Sequence, residues 1–566
     1  MIAAVVIGLL TALSAVLLKN GVSFIRNIVH EVAVNQRLHY LFFLFPAFGI
    51  LLTVIFSEVF LGGKMGRGVA NIIYTITRKN SRVERDKLYS QLVSSILTVG
   101  FGGSAGLEAP IASTGSAIGS HTARWLRFND KGRTLLLACG AAAGISAIFN
   151  APIAGVIFAF EILLADMPIP VIIPLLIASA ASSLLSHLIF SGQPFVLIVD
   201  SWHSDHLLYY LAFGILCALI SVYAIRVYFR IGEMFSGRKL IYLKAILGGL
   251  LVGGLIFIFP PLYGEGYESV QLLLHGDPYS MLNDQLLLPN AGIWTIALLA
   301  LALMLLKVIA TSLTVGAGGN GGMFGSSLFT GAMAGFAFSR IINIAGIAHL
   351  NEVTFTVIGM AAMMSGIIHA PLTAIFLIAE ITGGYALFVP LMIVSSLSYM
   401  ISRYFEPYSV YTKKLAVKGD IIVANVDKAI LSKMHLKTYI ETDFVMLGPD
   451  DNLGAVVEAI SHSNRNLFPV VETGGRLVGV IYLDDVRSVM FSPGLYEKVS
   501  VNELMKPASN TIDVHESMES VLKKFETLNV WNLPVTSAGN YVGFISKSKI
   551  FSHYREKVVK DSLLPA

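Results

Sequence analysis

The side chain best placed to do chemistry in this chain is Glu108. It is the one carboxylate in the stretch Gly100 to Pro110, where every other residue is glycine, small or apolar. Apolar helical sequence lies on both sides of it. An acid at such depth is costly to hold, which makes it a functional candidate by default. The plainer reading is a carboxylate at the wet end of a loop, and a repeat later in the chain weighs against it.

Leu97-Thr98-Val99-Gly100 recurs letter for letter as Leu313-Thr314-Val315-Gly316. At the same offset Gly102 and Gly103 meet Gly318 and Gly319, Gly106 meets Gly322, and Glu108 falls on Phe324. A second block follows each copy. Gly140 to Ile162 matches Gly359 to Ile381 without a gap, with Ser146 on Ser365, Pro152 on Pro371 and Glu161 on Glu380. Gly-rich breaks at corresponding places in two hydrophobic halves point to a binding site near the bilayer midplane.

The chemistry such a site can do follows from helix ends. Two inverted copies can aim their helix N-termini at one centre from opposite sides. Each end offers free N–H groups and roughly half a positive charge. That suits an anion and needs no basic side chain, and glycine lets the backbone come close. A carboxylate at one of these ends can occupy the site itself, then swing away or take a proton to admit the anion.

The elements that must position these groups are membrane helices. The chain has 566 residues, is 55% hydrophobic and 13% charged, with mean hydropathy +0.71. That composition is polytopic. A net charge of +4 gives no ground for a nucleic-acid partner. Cys139 and Cys217 each lie in an apolar stretch and imply neither a disulfide framework nor a metal site. Met1 to Leu18 lacks a charged leader and a cleavage signal, so it reads as a first membrane helix. Helix candidates fall at 1–18, 39–61, 88–100, 134–149, 151–164, 168–190, 206–229, 240–259, 293–314, 323–343, 353–366, 371–382 and 385–402. Several are well short of the ~20 residues that span a bilayer. Broken helices at membrane depth must pack in protein or line a wet cavity.

Orientation follows from Lys and Arg. The loops Arg78–Lys87 and Arg226–Lys244 are basic, whereas Ser186–Asp205 and Pro260–Asn290 contain neither residue. The basic pair is expected inside, the neutral pair outside. The first copy of the repeat is then entered from the inner face and the second from the outer, an inverted pair. Arg124, Arg127, Lys131 and Arg133 run against this assignment, and the two long neutral loops outweigh them.

Past Gly419 charged residues return. Strands are expected at Leu467–Val471, Leu477–Tyr482, Asn532–Val535 and Tyr541–Ser546, and helices at Leu453–Ser461 and Met518–Glu526. The result is a tandem repeat of small α/β units.

Taken together, these residues resemble the CLC family of chloride channels and chloride/proton antiporters. Gly106-Leu107-Glu108-Ala109-Pro110 is similar to the family's G-x-E-x-P motif. Gly322-Met323-Phe324-Gly325-Ser326 is similar to G-x-F-x-P with serine for the proline. Ser409 to Leu415 is similar to the segment bearing the anion-coordinating tyrosine, and the tail resembles a pair of CBS domains. The fold implied is a polytopic all-α membrane domain with inverted repeat and broken helices, plus a cytoplasmic α/β CBS pair. Its expected parts are a membrane domain at 1–418, a linker at 419–435 and CBS units at 436–495 and 500–556.

The resemblance implies that Glu108 is the gate, that the Met323 and Phe324 amides bind chloride, and that the Tyr411 hydroxyl donates to it. Read without the family, Phe324 is core and Tyr411 an interfacial anchor. The family's first motif should fall near Gly66 to Ala70, where Arg67 replaces its serine. Arg67 either supplies a fixed charge at the inner mouth or points to the interface. At the position where antiporters carry an internal proton acceptor stands Ile162, which resembles the channel branch. Glu161 beside it is expected to cap or pair structurally.

In the tail, the resemblance implies adenine nucleotide at Asp485 and Ser546, but each unit keeps one of the two usual polar positions, which weighs against binding. The expected function is therefore channel-like chloride transport by a homodimer in the lipid bilayer, gated by Glu108 and sensitive to voltage or pH, with no required cofactor. Chloride/proton antiport is the alternative. An organic-anion symporter is more remote, because few further midplane acids exist to build its cation site. No nucleophile triad, metal cluster or phosphate loop supports an enzyme.

Overall fold

The computed structural model describes the chain except residues 33–40, 64, 67, 165–171, 190–201, 238–239, 283–291, 418–435, 529, 551 and 553–566. The chain divides into two units, Met1–Ile421 and Ile422–Ala566.

The first unit is helical. Its elements are α1 (Ile2–His30), α2 (Leu41–Leu61), α3 (Gly68–Arg78), α4 (Ser90–Gly100), α5 (Glu108–Trp125), α6 (Asp130–Phe149), α7 (Pro152–Phe158), α8 (Ile172–Ile189) and α9 (Leu207–Met234). Then come α10 (Ile241–Ile258), α11 (Tyr267–Leu274), α12 (Ile293–Gly316), α13 (Met323–Ile344), α14 (Glu352–Ile368), α15 (Pro371–Ile381), α16 (Phe388–Phe405) and α17 (Lys413–Val417). Among the described residues nine helices are long and apolar enough to cross a membrane. The short α4, α7 and α15 are the broken pieces that the sequence placed inside the bundle.

Four helices, α3, α5, α11 and α17, escape a hydropathy reading. For α5 the reason is packing. Its surface is Gly, Ala, Ser and Thr because it meets α6 backbone to backbone rather than facing lipid. Gly115 and Gly119 lie against the α6 backbone at Gly140 and Leu136. In the second half Gly331 and Gly335 of α13 lie in the same way against α14 at Gly359 and Phe355. A Cβ at any of the four would run into a partner carbonyl, so the small-xxx-small spacing sets how closely each helix pair approaches.

The repeat is inverted in space. Pro152 and Pro371 each stand at the first position of a short helix, where the missing N–H is no loss. These helices, α7 and α15, lie side by side with the end of each beside the start of the other, as their cross-capping shows. The Ile153 and Ala154 N–H groups donate to Glu380 at 2.9 and 2.7 Å, and those of Leu372 and Thr373 donate to Glu161 at 3.1 and 2.8 Å.

The second unit carries two three-stranded sheets. In the first, β1 (Leu467–Val471), β2 (Leu477–Tyr482) and β3 (Lys506–Pro507) are antiparallel neighbours in that order. In the second, β4 (Ile512–Asp513) pairs parallel with β5 (Asn532–Ser537), which pairs antiparallel with β6 (Asn540–Ser546). The helices α18 (Leu453–His462) and α19 (Met518–Leu528) pack on separate apolar cores, with Val456 and Phe468 in one and Phe525 and Val535 in the other. The hairpin turns meet, since the Tyr541 N–H donates to Gly475 O at 3.0 Å.

Candidate anion site

The loops before α5 and α13 are built alike. Gly102 and Gly318 have φ of +101° and +117°, a backbone region closed to side chains. The next residues, Gly103 and Gly319, return their N–H groups to Thr98 O at 2.8 Å and Thr314 O at 2.9 Å. Each threonine hydroxyl then serves the other half: Thr98 accepts from the Asn320 N–H at 2.9 Å, and Thr314 from the Ser104 N–H at 3.1 Å. Gly106 and Gly322 exchange both backbone hydrogen bonds, each 3.0 Å. Two loops locked in this way launch α5 at Glu108 and α13 at Met323 from one place. Neither helix is capped by the side chain of the residue that precedes it, so their first N–H groups and dipole ends can take a negative group from elsewhere.

Glu108 is fully buried. Its Oε2 accepts from the Gly325 N–H at 3.1 Å, and its Oε1 from the Tyr267 hydroxyl. An acid from the first half thus sits on the first turn of the second half's helix. Gly325 leaves it room, because a Cβ there would lie 2.8 Å from the Tyr267 oxygen and 3.0 and 3.2 Å from the carboxylate oxygens. The carboxylate holds N–H and O–H donors that would equally suit a halide.

Met323 and Phe324 are buried in that same first turn. The Phe324 ring stacks on Phe149 at 5.6 Å and meets Phe158 edge-on at 6.1 Å. Its side chain is core, as the plain reading had it, which leaves its backbone for other use. Tyr411 is also buried, and its hydroxyl has no hydrogen-bond partner among the described residues. Glu406 anchors its segment, reaching Arg226 at 2.7 Å and Lys413 at 2.6 Å.

Ile162 lies half-buried in the π-helical turn Ala159–Leu163 and packs against the core. Glu161 beside it faces α15. Arg67 lies outside the described residues. In the tail, Asp485 pairs with Lys506 at 2.8 Å, and the Ser546 hydroxyl donates to Glu441 at 3.1 Å. Each is thus engaged with a protein partner.

Hydropathy and motif reading passed over Tyr267, Glu265, Lys307 and Lys19. Lys307 is fully buried in α12, where its ammonium donates to Gly264 O at 2.7 Å and lies 4.9 Å from the Phe329 ring centre. Lys19 of α1 donates to Ile148 O at 2.7 Å, near the negative end of α6. Glu265 accepts from the Leu107 N–H at 3.3 Å. A lysine inside an apolar span was the available signal.

A family model described as the voltage gated chloride channel matches residues 48–403, and one described as the CBS domain matches 436–492 and 501–556. The chain is 31% identical over 339 residues to a putative chloride channel protein ClcB-like from Ralstonia nicotianae, covering 58% of this chain and 74% of that protein. It is 31% identical over 335 residues to the voltage-gated ClC-type chloride channel ClcB of Escherichia coli, covering 57% and 74%. For chloride channel protein CLC-f of Arabidopsis thaliana the identity is 31% over 369 residues, covering 61% and 46%. Among solved structures, a slow cyanobacterial Cl-/H+ antiporter superposes with TM-score 0.65 at 23% identity, covering 74% of this chain and 97% of that one. A eukaryotic CLC transporter gives 0.63 at 18% identity, covering 97% of both.

Proposed function

The chain belongs to the voltage-gated chloride channel family, as a multi-pass membrane protein with a C-terminal CBS pair, and from that premise we propose that it conducts chloride passively through a path gated by Glu108. The observation that carries this reading is the Glu108 carboxylate on the Gly325 N–H. A negative group from one half holds the donor end of a helix from the other, where a dehydrated halide would bind. Protonation removes the charge and frees the donors. Movement of a charged gate or ion across the field is worth about 2.3 kcal/mol per elementary charge per 100 mV, which makes voltage a second stimulus.

Met323 and Phe324 supply further backbone N–H groups and Tyr411 a hydroxyl. The Tyr411 hydroxyl, which has no partner among the described residues, supports that role, since a buried donor left unpaired is costly unless something binds it. Ile162, where an antiporter would carry an internal acid, favours the channel over chloride/proton exchange. The protein acts as a homodimer with one path per subunit, its tail in the cytoplasm. The Asp485 pair with Lys506 and the Ser546 bond to Glu441 weigh against adenine nucleotide as the tail's ligand.

The test is flux from liposomes. Glu108→Gln, which mimics protonation, raises chloride efflux and removes its pH dependence; unchanged flux and pH response would overturn the gate. Under a chloride gradient the channel drives no uphill proton movement, and proton pumping would establish the antiporter instead.

A further inference from the structure

The amino end of α5 carries two acids, not one. Glu108 opens the helix, and the N–H of Leu107 immediately before it is taken by Glu265, which enters from the segment between α10 and α11. Glu265 lies between two glycines of positive φ, Gly264 at +55° and Gly266 at +84°. Lys307 fixes that turn from below through Gly264 O at 2.7 Å and Leu262 O at 3.4 Å. The residue that follows is Tyr267, whose hydroxyl holds the Glu108 carboxylate. One short segment therefore delivers both the donor that grips the gate and a second negative charge beside it.

We propose that Glu265 is a positioning residue for the gate: its charge at the Leu107 N–H, set against the buried ammonium of Lys307, fixes the pH at which Glu108 gives way to chloride. This rests on Glu108 being the gate. The physical ground is that a like charge at short range favours the protonated form of its neighbour, and an opposite charge favours the ionised form. Glu265 thus pushes Glu108 toward its open, protonated state, while Lys307 holds it closed. Burial keeps solvent from screening either effect.

Other groups bear on the balance from the remaining elements. Lys19 of α1, whose side chain donates to Ile148 O at 2.7 Å at the end of α6, is a second lysine in this set. Tyr267 of α11 and Tyr411 are neutral donors. Farther out, Arg26 of α1 and Glu268 of α11 form an exposed pair at 2.7 Å that cancels itself. The groups set around the gate are accordingly two lysine side chains and one further carboxyl group. Glu265 is the member of this set whose charge can be removed while its hydrogen bond is kept, since a glutamine carbonyl still accepts from Leu107.

The experiment is chloride efflux from liposomes holding the full-length protein, measured against external pH. Glu265→Gln moves the midpoint of acid activation down by roughly one pH unit, and Lys307→Gln moves it up. Glu265→Asp, which keeps the charge, leaves the midpoint near the native one. In a Glu108→Gln background, Glu265→Gln changes neither flux nor its pH response. A native midpoint in Glu265→Gln overturns the proposal while leaving the gate intact, provided Glu108→Gln alone abolishes the pH response. If Glu265→Gln fails to assemble, Lys307→Gln decides by its sign: a downward or absent shift overturns the proposal.

Discussion

Glu161 and Glu380 cap each other's helices. Glu161, in the π-helical turn that follows α7, receives the first free N–H groups of α15, and Glu380 at the end of α15 receives those of α7. The Thr373 hydroxyl adds a third bond to Glu161 at 2.6 Å. Residues matched by the sequence repeat are thus joined in space, which fixes α7 and α15 antiparallel. It also gives Glu161, the residue next to Ile162, a structural occupation.

Removing either cap should therefore cost stability rather than transport coupling. Glu161→Ala and Glu380→Ala are each expected to lose about 0.5–2 kcal/mol, the range for a lost N-cap. Thermal unfolding of the purified protein measures the loss. Glu161→Gln should leave the chloride efflux of the surviving folded protein unchanged. A large fall in flux without loss of stability would assign Glu161 to the conduction path.

Tyr267→Phe should loosen the proposed gate, Glu108, without removing its carboxyl group. The hydroxyl donates to an ionisable oxygen, a class of bond worth about 1.5–3 kcal/mol. Losing it should raise chloride efflux at neutral pH by roughly ten-fold, while the response to acid persists because Glu108 still titrates. Efflux assays on the variant separate this from Glu108→Gln, in which both flux and pH response change.

Much of this arrangement could be read from the sequence, and the exceptions have a common cause. The repeat aligns Gly106 with Gly322 and Thr98 with Thr314, and equivalent residues near the axis of an inverted pair, such as these two glycines, come together. The strands of the tail fell where Leu467–Val471 and Leu477–Tyr482 alternate around a Gly-Gly turn. The helix α5 was lost because hydropathy measures contact with lipid, and α5 contacts backbone. Glu265 and Tyr267 were lost because their segment reads as an external loop. Their value comes only from folding back onto α5, a long-range contact that no local pattern encodes. Cross-capping by Glu161 was foreseen as a structural role, but its partner helix was not.

In the tail, the Glu516 carboxylate should make stability depend on pH. Burial works against its charge, yet Lys524 at 2.6 Å, the Asp513 N–H and the Ser520 hydroxyl together hold its pKa below the usual carboxylate value. A group depressed in the folded state stabilises above its unfolded pKa, and that contribution is lost as pH falls through the folded one. Solvent reaches the pair, so the gain at neutral pH is under about 1 kcal/mol. Glu516→Gln should speed hydrogen exchange in α19 at pH 7, and the difference from the native protein should close in acid.

Tyr411→Phe distinguishes an anion ligand from a membrane anchor. A buried hydroxyl without a partner costs about 1–3 kcal/mol in lost hydration. If packing were its whole role, removing the oxygen should stabilise the fold and leave chloride binding alone. If it donates to chloride, the same change should weaken chloride affinity by roughly 3–10-fold, the worth of a single net hydrogen bond. The fold should again hold or gain stability, since Glu406 with Arg226 and Lys413 keeps the segment in place. Chloride titration calorimetry and thermal unfolding on the same preparation read the two quantities together. Weaker chloride binding at undiminished stability is the expected result, and unaltered affinity would return Tyr411 to the role of an anchor.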